Sequence, residues 1–231
     1  MTKRAAFKTS IKNLKNFNNF VLGVSMGSEN HTGEAFEATV ECVNTSGLKQ
    51  GIIDVSDTLK RYSYMADLTE IEARQKAEEC GKKWVIENTE SIKKFRIPVN
   101  VLHWDTWLND KRFSQYFYQF QTAYETSPPL REAIEKDIAD FNKRRSREFL
   151  QTKREHELSV SFHLEELTAA SIQFEDNPAA AQLYAGKELN CFKCVRSGQI
   201  PNIPKGIQNA QFFRINVYNV PANDVAESSL G

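Results

Sequence analysis

The stretch VLGVSMGSENHTGE, residues 21–34, places a serine where an apolar run ends. Gly23 and Gly27 lie two positions either side of Ser25, which formally matches the G-x-S-x-G pattern of a nucleophile elbow. A serine at the end of a buried strand can face a crevice, and glycines let a ligand approach the backbone closely. Both a nucleophilic hydroxyl and a tight structural turn are consistent with this pattern.

A serine hydrolase would need an acid and then a histidine downstream of the serine. The chain has four histidines, namely His31, His103, His156 and His163. His156 and His163 lie in charged, helical sequence, and no acidic residue is clearly paired with either. The sequence therefore keeps a hydrolase as an alternative but does not support a serine triad.

The cysteines also form a short motif, because Cys191 and Cys194 are spaced as C-x-x-C. A zinc site would need two further ligands, and Cys42 and Cys80 are isolated in the sequence. A redox motif normally follows a strand at the start of a helix. We therefore predict core cysteines in a reduced, cytoplasmic setting, with no metal and no cofactor.

Basic residues form local runs in a chain whose formal net charge is zero. One run contributes Lys82, Lys83, Lys93 and Lys94, and another spans residues 143–154. Such runs predict either solvated helix faces or a polarised surface that holds phosphates, and the sequence leaves both open. The basic N-terminus lacks the apolar segment of a signal peptide, and no apolar run reaches transmembrane length, so we expect no membrane contact.

The elements that must position these residues alternate between strands and helices. Strands are predicted at 20–25, 51–57, 97–104, 179–186 and 211–220. Helices are predicted at 33–46, 69–95, 110–125, 127–150, 159–174 and 188–198. Thr69 and Glu72 suit a capping box, and Gly81 is expected to break or kink that helix. The alternation predicts an α/β fold with a parallel sheet, in which Ser25 and Tyr184 lie near the carboxyl ends of strands.

Several separated stretches resemble the tRNA-dependent cyclodipeptide synthases, in the order of that family and over most of residues 18–195. They are GVSMGS, IIDVSDTLKRYSY, EARQKAEECGKKWVIEN, VLHWDTWL, FHLEEL and LYAGKEL. The resemblance implies a Rossmann-like parallel sheet flanked by helices, similar to the catalytic domain of class I aminoacyl-tRNA synthetases. It also implies one domain over 1–231, for which we expect 1–17 and 222–231 to be flexible.

The resemblance implies roles for individual residues. Ser25 would accept the first aminoacyl group, Glu166 would hold the substrate amino group and move its proton, and Tyr184 would relay a proton during cyclisation. The substrate-binding residues would be Gly23, Gly27, Ser28, Phe162, Ala169 and Gln182. The tRNA-binding residues would be Lys82, Lys83, Lys93 and Lys94.

Two positions concern the branch of the family, and only one of them fits the branch that it indicates. Ser28 stands where one branch has asparagine, which indicates the other branch. That branch usually has proline after the catalytic tyrosine, whereas this chain has Ala185 followed by the expected Gly186.

A larger departure is Phe162, at a position where the family has a tyrosine whose hydroxyl helps to fix the amino group. Losing a hydrogen bond to a charged ammonium would cost about 1.5–3 kcal/mol, or roughly ten- to over a hundredfold in rate. Three explanations remain open: an engineered substitution, compensation by another hydroxyl such as that of Ser161, or a relative that has lost activity.

The expected function is the joining of two aminoacyl-tRNAs into a cyclic dipeptide through aminoacyl- and dipeptidyl-serine intermediates. The aminoacyl ester is already activated, and the sequence has no HIGH-like, KMSKS-like or Walker motif, so we expect no ATP. The protein would be a monomer or homodimer. The alternatives are a non-catalytic aminoacyl-tRNA-binding protein on the same fold, or a serine hydrolase.

Overall fold

The structure is a computed structural model that describes residues 2–8, 14–144 and 152–220. Six strands form one sheet in the order β1-β6-β5-β2-β3-β4. They are β1 (Thr2–Phe7), β2 (Asn19–Val24), β3 (Gln50–Val55), β4 (Val99–His103), β5 (Ala180–Tyr184) and β6 (Gln211–Val220). The five strands from β2 to β6 pair in parallel, and β1 pairs antiparallel to β6 at one edge.

Helices connect the strands and cover the sheet. The longer ones are α1 (Gly33–Asn44), α3 (Glu70–Lys93), α5 (Phe113–Thr126), α6 (Pro128–Arg144), α7 (Lys153–Asp176) and α8 (Asn190–Arg196). Four-residue helices are α2 (Arg61–Tyr64), α4 (Asp105–Leu108) and α9 (Gly206–Asn209), and 3-10 turns lie at Glu29–His31 and Thr58–Lys60. No helix in the described ranges is both long enough and apolar enough to cross a bilayer.

The α/β prediction and the five predicted strands are confirmed, with boundaries that differ by a few residues. The strand Thr2–Phe7 differs from the prediction, because the sequence leads us to expect flexible residues there. This strand forms because it pairs with β6, from Thr2 opposite Val220 to Phe7 opposite Ile215. A short polar segment carries no local sign of a partner more than 200 residues away. The predicted flexible segment 222–231 lies outside the described residues.

The expected break at Gly81 is wrong, because α3 runs unbroken from Glu70 to Lys93. Its predicted start is confirmed, since Thr69 and Glu72 form a reciprocal capping box. A Cβ at Gly81 would lie 2.3 Å from a carboxylate oxygen of Asp57. This glycine therefore allows the helix to pack closely on the residues that follow β3.

Two cores lie on opposite faces of the sheet, as the two-residue period of a strand requires. Phe20, Leu22 and Val24 face one core, which includes Trp84 of α3. Val21 faces the other core, with apolar residues of α5, α6, α7 and α8. Gly23 follows Val21 on the same face by this alternation, so the end of β2 opens towards α7.

Candidate active site

Two hydroxyl groups meet at the carboxyl edge of the sheet. Ser25 directly follows β2, Tyr184 is the last residue of β5, and the Ser25 Oγ lies 3.0 Å from the Tyr184 hydroxyl oxygen. Gly23 pairs in register with Tyr184 on one side and with Asp54 on the other. Parallel pairing of β2 and β5 therefore brings together two residues that lie 159 positions apart.

Glycines leave the space that this contact needs. A Cβ at Gly186 would lie 2.5 Å from the Tyr184 ring, so only glycine lets the ring take its observed position. A Cβ at Gly23 would meet only that ring among the described residues, at 3.5 Å. Gly27 has a φ of +80°, a conformation that side chains with a Cβ rarely adopt. Ser25 thus follows a glycine that is bordered by open space, on a turn that Gly27 makes possible.

Polar contacts hold the turn after Ser25. The Ser28 amide donates to the Ser25 carbonyl at 3.3 Å, so Ser28 closes the turn with its backbone. The Lys60 ammonium donates to the Met26 carbonyl at 3.1 Å. The residues after β3 therefore help to fix the backbone that carries the serine.

His31 makes the most direct contact with this backbone. The Ser25 amide donates to His31 Nδ1 at 2.8 Å, and the indole nitrogen of Trp84 donates to the His31 carbonyl at 2.6 Å. The imidazole also lies edge-on to the Tyr184 ring, with centroids 5.0 Å apart. One buried histidine thus contacts both Ser25 and Tyr184, and its own carbonyl is bonded by Trp84 of α3.

The tautomer and the protonation state of His31 follow from these contacts and from its burial. Because Nδ1 accepts the Ser25 amide proton, the neutral ring carries its own proton on Nε2. Burial lowers the pKa of His31 to about 4, although the bond to Ser25 opposes that shift. His31 is therefore neutral at physiological pH, and it holds the serine backbone rather than receiving the hydroxyl proton.

Two adjacent glutamates on α7 have opposite surroundings. Glu165 is buried and accepts hydrogen bonds from the two terminal nitrogens of Arg61, Nη1 and Nη2, at 2.7 and 2.5 Å. It also accepts from the Tyr62 hydroxyl at 3.0 Å and the Trp104 indole at 2.9 Å. Its carboxylate is fully engaged, so Glu165 joins α7 to the residues after β3 and β4 and has no capacity left for a ligand.

Glu166, unlike Glu165, has an oxygen that can still accept a hydrogen bond. Its Oε2 is buried and makes no hydrogen bond to any described residue. Burial raises the pKa of Glu166 to about 8, with smaller contributions from the charges of Asp137 and Asp54. Burial also raises the pKa of Tyr184, on which the Glu166 charge acts. An acid in this state suits a cationic ligand, which would supply the missing partner.

Phe162 lies one helical turn before Glu166 and packs edge-on against Tyr62, with ring centroids 6.5 Å apart. The Tyr62 hydroxyl already donates to Glu165. Ser161, which the sequence offers as a substitute hydroxyl, lines a separate cavity of about 250 Å³ with Phe117, Val160 and other residues of α5 and α7. Glu166 is not among the residues that line that cavity.

Two other predicted substrate-binding residues lie on α7 and β5. Ala169 is buried on α7 and packs in a cluster with Trp104 and Trp107. Gln182 pairs in register with Val21 on β5, and its amide oxygen accepts from Arg196 at 2.7 Å.

The predicted tRNA-binding lysines are mostly paired with acids. Each of three lysines has its Nζ close to a glutamate oxygen, Oε1. The distances are 3.6 Å for Lys83–Glu87, 2.7 Å for Lys93–Glu90 and 2.5 Å for Lys94–Glu37. Lys82 borders a small pocket also lined by Asp57, Glu78, His103 and Asp105. This surface of α3 is therefore mixed in charge rather than uniformly basic.

The remaining histidines do not form a triad with Ser25. His103 pairs with Asp57 at 2.6 Å, His156 pairs with Glu135 at 2.8 Å, and His163 bonds the Ser159 carbonyl at 2.7 Å. His31 contacts the Ser25 amide and not its hydroxyl.

The C-x-x-C motif lies at the start of α8. Cys191 is buried, burial raises its pKa well above the usual value, and its amide donates to Asp137 at 2.8 Å. No described group of three or more His, Cys, Asp or Glu side chains is arranged to hold a metal ion.

The sequence did not predict that His31 contacts Ser25, or that Glu165 is paired while Glu166 is not. The only sequence signal for His31 is its position six residues after Ser25, on the segment that leads into α1. Adjacent glutamates on a helix look alike in sequence, and only the position of Arg61 distinguishes them.

Comparison with known proteins finds several solved structures that superpose on this chain. No family model and no curated protein matches the sequence. A CDPS from Fluoribacter dumoffii superposes with a TM-score of 0.83 and 23% identity, over 94% of this chain and 98% of that one. A cyclodipeptide synthase from Bacillus thermoamylovorans superposes with a TM-score of 0.72 and 11% identity, over 94% and 97%.

The chain has the fold of the cyclodipeptide synthases. A Mycobacterium tuberculosis protein also superposes, with a TM-score of 0.65, 13% identity and coverage of 93% of each chain. Its structure is described as demonstrating that cyclodipeptide synthetases are related to type I tRNA synthetases. The fold resemblance predicted from the short sequence stretches is therefore confirmed, with an antiparallel β1 added to the parallel sheet.

Proposed function

We propose that this protein is a tRNA-dependent cyclodipeptide synthase that joins two aminoacyl groups through esters on Ser25. The observation that carries the proposal is the Ser25–Tyr184 hydroxyl pair beside an unpartnered, buried Glu166, on the cyclodipeptide synthase fold. Together these residues offer a nucleophile, a proton relay and an acceptor for an amino group.

In the first step the Ser25 oxygen attacks the ester carbonyl of an aminoacyl-tRNA. The bond to the terminal ribose oxygen breaks, the new ester forms on Ser25, and the hydroxyl proton passes to the leaving ribose oxygen. Tyr184 is at hydrogen-bonding distance from Ser25 and can carry this proton. The exchange of one ester for another needs no ATP.

Glu166 would bind the α-ammonium of that aminoacyl group through its unpartnered oxygen. An ammonium nearby favours the ionised carboxylate and offsets the desolvation that raises the pKa of Glu166. Glu166 can then accept a proton from the ammonium, which leaves a free amine as the nucleophile for the next step.

In the second step that amine attacks the ester carbonyl of a second aminoacyl-tRNA, which forms a peptide bond and releases the tRNA. The terminal amine of the resulting dipeptidyl ester then attacks the carbonyl bound to Ser25. This closes the six-membered ring and returns the serine oxygen, which regains a proton through Tyr184. In each of these attacks the amine gives up one proton and the departing ribose or serine oxygen takes up one, and the proton that Glu166 accepted returns to solvent, so no histidine is needed.

We assign the finer features by the same resemblance. On that basis Ser28 would put the chain in the branch that lacks asparagine at this position. Lys82, Lys83, Lys93 and Lys94 would contact tRNA phosphates, and Gly23, Gly27, Phe162, Ala169 and Gln182 would line the substrate site. The enzyme would work in the cytoplasm, as a monomer or homodimer and without a cofactor.

A second candidate is a protein that binds aminoacyl-tRNA without reacting. Phe162 is the observation that favours it, because the ring at this position has no hydroxyl to hold the ammonium and the Tyr62 hydroxyl is bound to Glu165.

Expression in a bacterium, followed by mass spectrometry of the medium for diketopiperazines, separates the two candidates. We expect a cyclic dipeptide that disappears with Ser25→Ala, and a yield roughly ten- to a hundredfold higher with Phe162→Tyr. Absence of product from both the parent and Phe162→Tyr, with folded protein that still binds tRNA, would favour the binding protein.

A further inference from the structure

Asp54 is a buried acid next to the proposed nucleophile, and the proposed mechanism does not use it. It lies at the end of β3, only 6% exposed, directly opposite Gly23 in the parallel register. Register partners on neighbouring parallel strands point to the same face, so Asp54 and Tyr184 flank Gly23 on the face that α7 covers. The charge of Asp54 acts on Glu166, which places both carboxyls in the same region.

The space beside Gly23 is open on the Asp54 side. A Cβ at Gly23 would have only the Tyr184 ring within 4 Å among the described residues. The proposed acyl group on Ser25, two residues further along, would extend its side chain into this space. Asp54 would then contact the side chain of the first amino acid, while Glu166 would hold its amino group.

The second oxygen of Asp54, Oδ2, accepts no short hydrogen bond from a described residue. The Trp107 indole donates to Oδ1 at 2.9 Å. Burial raises the pKa of Asp54 to about 6, and the nearby charge of Asp57 adds to that effect. No described lysine, arginine or histidine forms an ion pair with it. A mostly ionised carboxylate at neutral pH is therefore left without a cation, which is unusual for a buried acid.

Gln173 supplies a second observation. It lies on α7, is 4% exposed, and its amide is close enough to hydrogen-bond Asp54, which opposes the rise in the pKa of that acid. Its Nε2 nevertheless makes no hydrogen bond of ordinary geometry to any described residue. The region beside Gly23 therefore presents a carboxylate and a neighbouring amide that are joined at most by a long or poorly aligned hydrogen bond, so each can still gain a short bond from a polar ligand side chain.

We infer that the pocket for the first aminoacyl group selects an uncharged polar side chain, a hydroxyl or a carboxamide, through Asp54 and Gln173. Serine, threonine, asparagine and glutamine fit, because the tip of each donates one hydrogen bond and accepts another. The inference rests on the proposed synthase function and names the substrate class of the same site.

Other side chains would leave one of these groups without a partner. An apolar side chain would leave Asp54 and Gln173 with only their weak mutual contact and the Trp107 bond, which disfavours binding. Lysine and arginine offer no acceptor to Gln173. Aspartate and glutamate would meet the charges of Asp54 and Glu166.

Acylation of Ser25 by individually charged tRNAs tests the inference. Purified full-length protein is mixed with each charged tRNA, quenched in acid and analysed by intact-protein mass spectrometry, with Ser25→Ala as the blank. Threonine against valine, and asparagine against leucine, are pairs of similar shape that differ in polarity. We expect the polar member of each pair to acylate Ser25 at least about tenfold faster.

Two variants assign the preference to its residues. Asp54→Asn keeps an oxygen for Trp107 but can replace the free acceptor by an amide donor, and Gln173→Met keeps the shape but removes the donor. Each should reduce the polar-over-apolar ratio about tenfold. Thr39→Val changes a buried polar residue of α1 that bonds its own helix, and should leave the ratio unchanged. If Asp54→Asn does not fold, Gln173→Met carries the same test.

The outcomes separate the inference from the function on which it rests. Equal rates within both pairs, faster reaction of valine or leucine, or a dominant reaction of lysine or arginine would overturn the inference and leave the synthase intact. If no charged tRNA acylates Ser25, the synthase function itself is wrong, and the inference fails with it.

Discussion

At the scale of single residues, the site depends on which polar groups are already engaged. Glu165 and Glu166 are chemically identical neighbours, yet Arg61, Tyr62 and Trp104 occupy only the first. A buried carboxyl without partners costs free energy in the empty protein, and a substrate ammonium would recover it. The same reasoning makes His31 a structural contact of Ser25, since its accepting nitrogen is used by the amide and not by the hydroxyl.

The contact of His31 with Ser25 predicts an effect on turnover rather than on affinity. His31→Leu leaves the Ser25 amide without an acceptor, at a cost of about 1–3 kcal/mol, and frees the turn to shift. We expect kcat for cyclic dipeptide formation to fall roughly ten- to a hundredfold, with KM for aminoacyl-tRNA little changed. His31→Asn keeps an acceptor near the position of Nδ1 and should recover much of kcat; equal losses in both variants would contradict this role.

The raised pKa of Glu166 predicts a pH dependence of stability. Between about pH 4.5, the usual value, and about pH 8, the folded protein keeps a proton that the unfolded chain releases. The free energy of unfolding therefore falls as pH rises through this window, by up to about 1.4 kcal/mol per pH unit from this group.

Glu166→Gln removes that proton and should remove its share of the slope. In thermal unfolding, the melting temperature of the variant relative to the parent should rise steadily from pH 5.5 to pH 8.5. Glu157→Gln, an exposed position on α7, serves as the control and should follow the parent. A parent-minus-variant difference that does not change with pH would show that Glu166 titrates normally.

At the scale of elements, α3 and α7 position the site from opposite faces of the sheet. Trp84 of α3 bonds the His31 carbonyl, while α7 supplies both glutamates and Gln173. Gly81 and the capping box let α3 run unbroken past the residues after β3. Arg144, at the end of α6, is close enough for its charge to lower the pKa of Tyr184, so the basic run at 143–154 begins near the site.

The exposed lysines of α3 carry a prediction about tRNA. Reversing Lys82 and Lys83 to glutamate should weaken binding of aminoacyl-tRNA and reduce the slope of log affinity against log salt by about 0.7–0.9 for each phosphate that is no longer neutralised. Lys49→Glu, at the exposed amino end of β3, should have little effect. Filter binding across a salt series measures both quantities, and unchanged binding would remove α3 from the tRNA surface.

At the scale of the whole molecule, one sheet connects distant parts of the chain. The central strands β5, β2 and β3 carry the candidate site at their carboxyl ends, while β1 and β4 are the edge strands. β1 covers the free side of β6, and Ala5 and Phe7 pack against the core that contains Trp84. The N-terminal strand thus supports the fold at a distance from the chemistry.

Removing residues 1–8 should therefore lower the stability of the protein without changing the rate of Ser25 acylation. The truncated protein exposes the edge of β6, so we expect a lower melting temperature and association that increases with concentration. The rate of Ser25 acylation per folded molecule should stay within about twofold of the parent, because β5, β2 and β3 remain paired. A truncated protein that is equally stable would show that the β1–β6 pairing contributes little.

Much of this architecture was predictable because its causes are local. Apolar runs of five or six residues predict buried strands, and a threonine followed three residues later by glutamate predicts the start of α3. The placement of Ser25 and Tyr184 at strand ends follows from the same runs. The effect of Gly81 was not predictable, because helix propensity describes a helix in water and not one packed on Asp57.

The sequence by itself determined the alternation of strands and helices, the glycines around Ser25 and the acids and hydroxyls near strand ends. Tertiary structure alone decided that Tyr184 meets Ser25, that Glu165 is neutralised while Glu166 is not, and that Asp54 pairs with Gly23 and has Gln173 as a neighbour. The physical reason is that hydrogen bonding and desolvation depend on neighbours up to 159 residues away, whereas periodicity and capping act within one or two turns of chain.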